Sequence, residues 1–229
     1  MKNIKIHCIL ITLVMMSACG KPYYLSSNFQ DKTKDHEVIA ILPVEMIFLG
    51  VMPEGLSEKD ILAIEEAESQ AFQISLSNEI LRSVKGGKRP LRIDFQPYSS
   101  TNRILEENDI SIREAWHQSP ESLAKILQVD AVVKGRIEKY RYMSDLASYG
   151  IYVATDVIAI LSQGALSPYI PVGLKKTNDV LASCALHGGD DGLVLWSMSL
   201  EQSADWGRPA PVVINDINRR LARHFPYRE

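Results

Sequence analysis

The residue of this 229-residue chain best placed for chemistry is Cys19. Lys2 and Lys5 form a short basic head, and Ile9 to Met16 form an apolar run broken only by Thr12. Ser17 and Ala18 then supply the small residues at which a signal peptidase cuts, immediately before the cysteine. Basic head, short apolar core and small residues make a secretory signal; a spanning helix needs about 20 apolar residues and different flanks. The plainer alternative is an ordinary cleaved signal whose final cysteine is incidental.

Elsewhere the sequence offers little to a catalyst. It has no His-Glu-x-x-His run, paired-cysteine metal motif, phosphate-binding glycine loop or Gly-x-Ser-x-Gly elbow. His36, His117, His187 and His224 are scattered and read mostly as surface residues. His187 with Asp190 and Asp191 loosely suggests a metal site, but a hairpin turn rich in Asp and Gly needs no ligand to account for it. Cys184 falls at a strand position and reads as a small core hydrophobe. Glu65, Glu66 and Glu68 read as the solvated side of a helix. The expectation is a protein that is not an enzyme and holds no metal or cofactor.

The string Met16-Ser17-Ala18-Cys19 resembles the lipobox of bacterial lipoproteins, with Met16 where Leu is commonest. The resemblance implies removal of residues 1–18, a thioether-linked diacylglycerol on Cys19 and an N-acyl chain on the new amino terminus. At about 0.8 kcal/mol per buried CH₂, each long acyl chain contributes roughly 10 kcal/mol, so two or three hold permanently. By the same resemblance, Gly20 after the cysteine favours the periplasmic face of the outer membrane. Cleavage discards Lys2 and Lys5 and no acid, leaving 23 basic against 28 acidic residues, a formal charge of −5. That balance gives no electrostatic footprint for nucleic acid. With Cys8 discarded and Cys19 acylated, Cys184 is the remaining thiol, so no intramolecular disulfide can form.

Elements to carry such an anchor follow in order. Residues 19–36 are polar and without periodicity and read as a lipidated tether; 37–229 read as a single domain. Val38 to Val44 is an apolar run expected of a strand buried on both faces, with Pro43 marking its end and a loop carrying Gly50, Pro53 and Gly55 beyond. Ser57 and Asp60 predict a helix start. Phe72, Leu76, Ile80 and Val84 recur every four residues, with Ala67, Ile74 and Leu81 beside them, predicting a helix over 61–84. Leu91, Ile93 and Phe95 alternate as a half-buried strand. Thr101 to Asn108 reads as a short helix, and Ser119-Pro120-Glu121 as the start of another that ends at Asp130 and runs into a strand over 131–140. Two strands, 180–186 and 193–200, flank a glycine-rich turn, and a helix opens at Pro211. The order β-α-β-α-β, an apolar insertion, then β-β-α predicts an α/β fold with a mixed sheet and flanking helices.

Three of these segments resemble the periplasmic α/β domain shared by the curli-secretion lipoprotein CsgG, the peptidoglycan-synthase activator LpoB and a neisserial lipoprotein antigen family. They are the first strand ending in Leu42-Pro43, the junction Pro120 to Gly135, and Asp190-Asp191-Gly192-Leu193-Val194-Leu195-Trp196-Ser197 ahead of a C-terminal helix. The resemblance implies an adaptor, activator or secretion component with no catalytic residue. Of the residues themselves, Asp130 is expected to satisfy backbone N–H groups of its turn, Gly135 to admit a close neighbour, and Trp196 to pack in the core.

Residues 146–174 form an apolar insertion whose first half carries the candidate interface: Tyr149, Ile151, Tyr152, Val153, Val157, Ile158 and Leu161. Three readings stay open: packing on the domain's own core, an exposed patch for self-association or an unidentified envelope protein, and membrane insertion. Gly164, Pro168, Pro171 and Gly173 break any longer helix, and the segment does not alternate as a barrel strand would. The expectation is a membrane-anchored lipoprotein working by protein contact in assembly or regulation of an envelope complex. The alternative is a subunit of an oligomeric outer-membrane secretion pore.

Overall fold

A computed structural model describes residues 22–50, 57–85, 91–141, 178–204 and 210–227. These form a mixed α/β fold: a seven-stranded sheet of order β1-β7-β6-β5-β2-β4, in which β3 also pairs with β5. The strands are β1 (Tyr23–Leu25), β2 (Val38–Ile41), β3 (Glu45–Gly50), β4 (Asp94–Phe95), β5 (Ala131–Arg141), β6 (Asn178–Gly188) and β7 (Val194–Ala204). The helices are α1 (Phe29–Thr33), α2 (Glu58–Lys85), α3 (Tyr98–Glu107), α4 (Ile112–His117), α5 (Pro120–Leu127) and α6 (Ala210–Arg223). β2 lies parallel to β4 and β5, and β3 parallel to β5; β5, β6, β7 and β1 pair antiparallel in turn.

β2 ends just before Pro43 as expected, but the chain resumes at Glu45 as β3 on the same neighbour, β5, where the sequence predicts a loop. Ile41 lies opposite Val133 and Glu45 opposite Arg136, so the chain carries one extra residue across the break, a bulge. Leu42 N–H still donates to the Val133 carbonyl, at 3.0 Å, and Pro43 has no N–H to lose. Val44 turns inward at the bulge. A Cβ on Gly135 would stand 3.0 Å from its Cγ2, so the expected close approach at Gly135 is that of Val44.

The larger core lies between one face of the sheet and the two long helices. Phe72, Leu76 and Ile80 of α2 and Ile214, Ile217 and Leu221 of α6 meet Ile39, Val133, Ile137, Ala182, Cys184 and Trp196. Trp196 is fully buried, with Phe225 edge-on at 5.6 Å. Burying each such large side chain contributes roughly 1.5–3 kcal/mol. A smaller core on the opposite face joins Ala40, Leu42 and Val132 to Leu105, Ala115, Leu123 and Leu127 of α3, α4 and α5. Helix starts follow the side chains. The Ser57–Asp60 pair and the Ser111–Glu114 pair each close a capping box, and Ser119 Oγ accepts from Ser122 N–H ahead of Pro120. Leu81 departs from its predicted stripe and is exposed. Among the described residues no helix is long and apolar enough to cross a membrane.

The segment read as a tether is largely folded. β1 pairs with β7 over Tyr23–Leu25, and α1 buries Phe29 and Thr33. The chain's last described turn holds it there. Tyr227 packs edge-on against Phe29 at 5.3 Å, and its hydroxyl lies 2.6 Å from His36 Nδ1. Arg92 donates to the Thr33 carbonyl and hydroxyl, both at 2.9 Å, while its own N–H donates to the Tyr227 carbonyl. Polar composition hid this element because two buried residues suffice to dock it.

Burial holds the His36 imidazole below its ordinary value of 6.5, Arg92 adding to the lowering and Asp130, Asp190 and Asp35 opposing it. A base held neutral by folding stabilises the fold above 6.5, and that stability is lost as the pH falls below it. An NMR titration of the His36 ring should therefore show a midpoint below 6.5. A midpoint at or above that value would contradict its burial against Tyr227.

Candidate functional site

Side chains alternate along strands, so the helices that cover one face of the sheet leave the other to be read position by position. The second helical layer packs over β2 and the first turn of β5. Beyond it, β5 presents Lys134, Arg136, Glu138 and Tyr140, β6 presents Leu181, Ser183, Ala185 and His187, and β7 presents Ser197 and Ser199, all at least partly exposed. The registers set Arg136 opposite Ser183 and Ser183 opposite Ser199, so these positions run side by side across three strands. Between this floor and the wall made by Pro43, Trp116 and Pro120 lies a cleft of about 360 Å³.

The charges at the cleft are held by their neighbours. Lys134 Nζ donates to the Trp116 carbonyl at 2.9 Å and the Gln118 carbonyl at 2.7 Å, capping the carbonyls at the end of α4. Burial lowers the Lys134 ammonium from its ordinary value, Glu45 opposing. Arg136 donates to Glu138 at 2.9 Å and to Glu45 at 3.4 Å. Serine and alanine make the middle of the floor flat, and Leu49, Tyr140 and Leu181 stand exposed at its β5-exit end. A shallow shelf of small polar residues with a fixed charged margin suits contact with another macromolecule. It is not an enclosed site that concentrates a reactive group.

The residues singled out in the sequence distribute as follows. Met16, Ser17, Ala18 and Cys19 lie outside the described residues, as do Tyr149, Ile151, Tyr152, Val153, Val157, Ile158 and Leu161 and the whole of 146–174. His187 Nδ1 lies 3.0 Å from the Gly192 carbonyl, and Asp191 binds Lys32 at 2.5 Å and the Leu193 N–H at 3.1 Å. His117 is exposed, whereas His36, His187 and His224 are half-buried, contrary to a reading of them as mostly surface.

The acidic run on α2 needs a larger correction. Glu68 is only 1% exposed and forms an ion pair with Lys139, whose ammonium also lies 5.6 Å from the Phe48 ring. Glu65 and Glu66 both pair with Arg113, which lies over Trp116 at 5.1 Å. Glu68 meets a cation from β5 in place of water, whereas Glu66 pairs with Arg113 of α4 while its side chain stays 44% exposed. Breaking one partner of such a buried pair costs about 3–5 kcal/mol because the other charge is left uncompensated. α4 itself went unread, although its Ser111-x-x-Glu114 box is a sequence-level helix start.

No family model matches the chain, and no curated protein sequence matches it. Solved structures with a similar course include the lipoprotein GNA1162 from Neisseria meningitidis, 14% identical over 82% of this chain and 96% of that one, TM-score 0.41. The PelC dodecamer from Paraburkholderia phytofirmans is 10% identical over 81% and 84%, TM-score 0.38. The LpoB C-terminal domain from Salmonella enterica is 11% identical over 77% and 93%, TM-score 0.37. Likenesses this faint carry no argument about what the chain does.

Cys184 confirms the placement of β6 and behaves as a hydrophobe. It is 3% exposed, and burial pushes its thiol up to about 12 from 9.0. Folding keeps the thiol protonated, so its contribution to stability is intact below pH 9 and is lost between about 9 and 12. At pH 8 a thiol reagent should leave the folded chain unlabelled at this position and react only at the rate of unfolding. Rapid labelling in the absence of denaturant would contradict the burial.

Proposed function

We propose that this protein is a lipid-anchored lipoprotein of the bacterial envelope, on the periplasmic face of the outer membrane, acting without chemistry of its own. It works by protein contact in assembling or regulating an envelope complex. The observation that carries the reading is the uncovered half-face of β5, β6 and β7, whose charged groups are already engaged internally. Lys134 and Arg136 are spoken for by carbonyls and carboxylates, so the shelf offers shape, hydroxyls and the exposed Leu181 to a partner. The lipid on Cys19 supports the same mechanism. Confinement to two dimensions raises the effective concentration of membrane-bound partners, so a weak interface is still occupied.

The test combines anchor and face in intact cells. Cys19→Ser should move the protein from the membrane pellet to the soluble fraction. With the anchor intact, Leu181→Arg together with Ser183→Arg should abolish crosslinks captured from a photoreactive group at Ser199. The unfolding free energy should fall by no more than about 1 kcal/mol, since Ser183 is half-buried and the new arginine stands opposite Arg136, and the doubly substituted chain should stay folded. Unchanged crosslinks from the doubly substituted face, or membrane association untouched by Cys19→Ser, would refute the reading.

A further inference from the structure

The folded body begins very soon after the residue proposed to carry the lipid. Tyr23, the first residue of β1, is four positions beyond Cys19. Four residues reach at most about 14 Å even when fully extended. Each polar layer of a bilayer takes up roughly 5–7 Å of that distance. β1 cannot drift, because it is laddered to β7 and its continuation α1 is clamped by Tyr227 and Arg92. The leash therefore sets where the body sits as well as whether it is bound.

The edge nearest that leash carries exposed apolar side chains beside the polar Asp190–Asp191 turn. β1 is the outer strand at its edge of the described sheet, and its Tyr24 is 54% and Leu25 38% exposed. Ser26 N–H donates to the Leu195 carbonyl, which places the start of β7 directly alongside; there Leu193 is 56% and Val194 38% exposed. Among the described residues the nearby lysines are paired with acids, Lys32 with Asp191 at 2.5 Å and Lys34 with Asp35 at 3.8 Å. Attraction to an anionic lipid surface would need unpaired cations.

We propose that the edge formed by Tyr24, Leu25, Leu193 and Val194 rests in the headgroup layer of the membrane that holds the Cys19 lipid. The occupant of this patch is the lipid surface itself. Tyr24 and its apolar neighbours enter the interfacial layer where amphipathic rings are favoured, and the contact does not depend on lipid charge. The body then lies with its β1 edge down, and the shelf of β5, β6 and β7 meets the membrane at an angle instead of facing it. This inference rests on the proposed lipid anchor.

The experiment uses the acylated mature chain, from which residues 1–18 and with them Cys8 are gone, in phosphatidylcholine vesicles, with an environment-sensitive fluorophore on Leu193→Cys or, as control, on Arg103→Cys of α3. Cys184 is buried and Cys19 is occupied by lipid, so neither takes the label. The expected result is a blue shift at position 193, loss of emission to a lipid carrying a quencher near its headgroup, and neither change at 103. The same result in vesicles containing phosphatidylglycerol supports a charge-independent contact. Emission at 193 that matches 103 while the protein still floats with the vesicles overturns this inference and leaves the anchor standing. A blue shift that grows with protein density and ignores the lipid quencher assigns the patch to a second copy and overturns it too. Failure to float, with no labelled palmitate incorporated, removes the anchor and this inference together.

Discussion

One carboxylate gathers three parts of this sheet that are far apart in sequence. Asp130 Oδ2 accepts from Glu37 N–H at 2.7 Å and Val38 N–H at 2.8 Å, the two donors at which the chain enters β2. Its own N–H donates back to the Val38 carbonyl at 2.9 Å, and its carbonyl accepts from Gly189 N–H at 2.8 Å. Asp130 thus ties β2, the α5–β5 junction and the β6–β7 hairpin at one point. The expectation that it would satisfy its own turn holds only in kind, since the N–H groups it serves lie more than ninety positions away. Gly189 is part of the same joint: a Cβ there would stand 2.7 Å from the Asp130 carbonyl oxygen, closer than any side chain tolerates.

Fixing β2, β5 and the hairpin at one end lets the other end of the sheet be used differently. The bulge at Pro43 carries the chain on as β3 along the outer half of β5, and β3 brings Glu45 beside Arg136. On the inner face that half of the sheet receives Glu68, whose ion pair with Lys139 lies under Phe48. On the outer face the helices stop short, and a shelf of serines and alanines remains. Packing on one side and openness on the other come from the same alternation of strand side chains.

Much of this arrangement is written locally. The apolar run of β2, the period of α2, the Ser119-Pro120 start and the glycine turn at 188–192 each announce their element through backbone chemistry, and all appear at or near the expected place. What could not be read depends on distant partners. β3 follows a proline, which in a single strand reads as a stop; it persists because Gly135 leaves room for Val44. Charge predicted solvent for Glu68, and only the register of β5 brings Lys139 beneath it, 71 positions on. β1 and α1 are polar on average and folded because Tyr227, near the chain's other end, covers Phe29. The candidate interface residues on 149–161 lie outside the described residues.

The central claim is that the Asp130 carboxylate holds these elements in one cooperative body. Urea unfolding of Asp130→Ala beside the parent tests it most directly. Losing the charged acceptor of these two donors, the first exposed and the second half-buried, should lower stability by about 1–3 kcal/mol with an unchanged denaturant slope. A midpoint indistinguishable from the parent would show that the carboxylate is incidental and that the sheet is held together elsewhere.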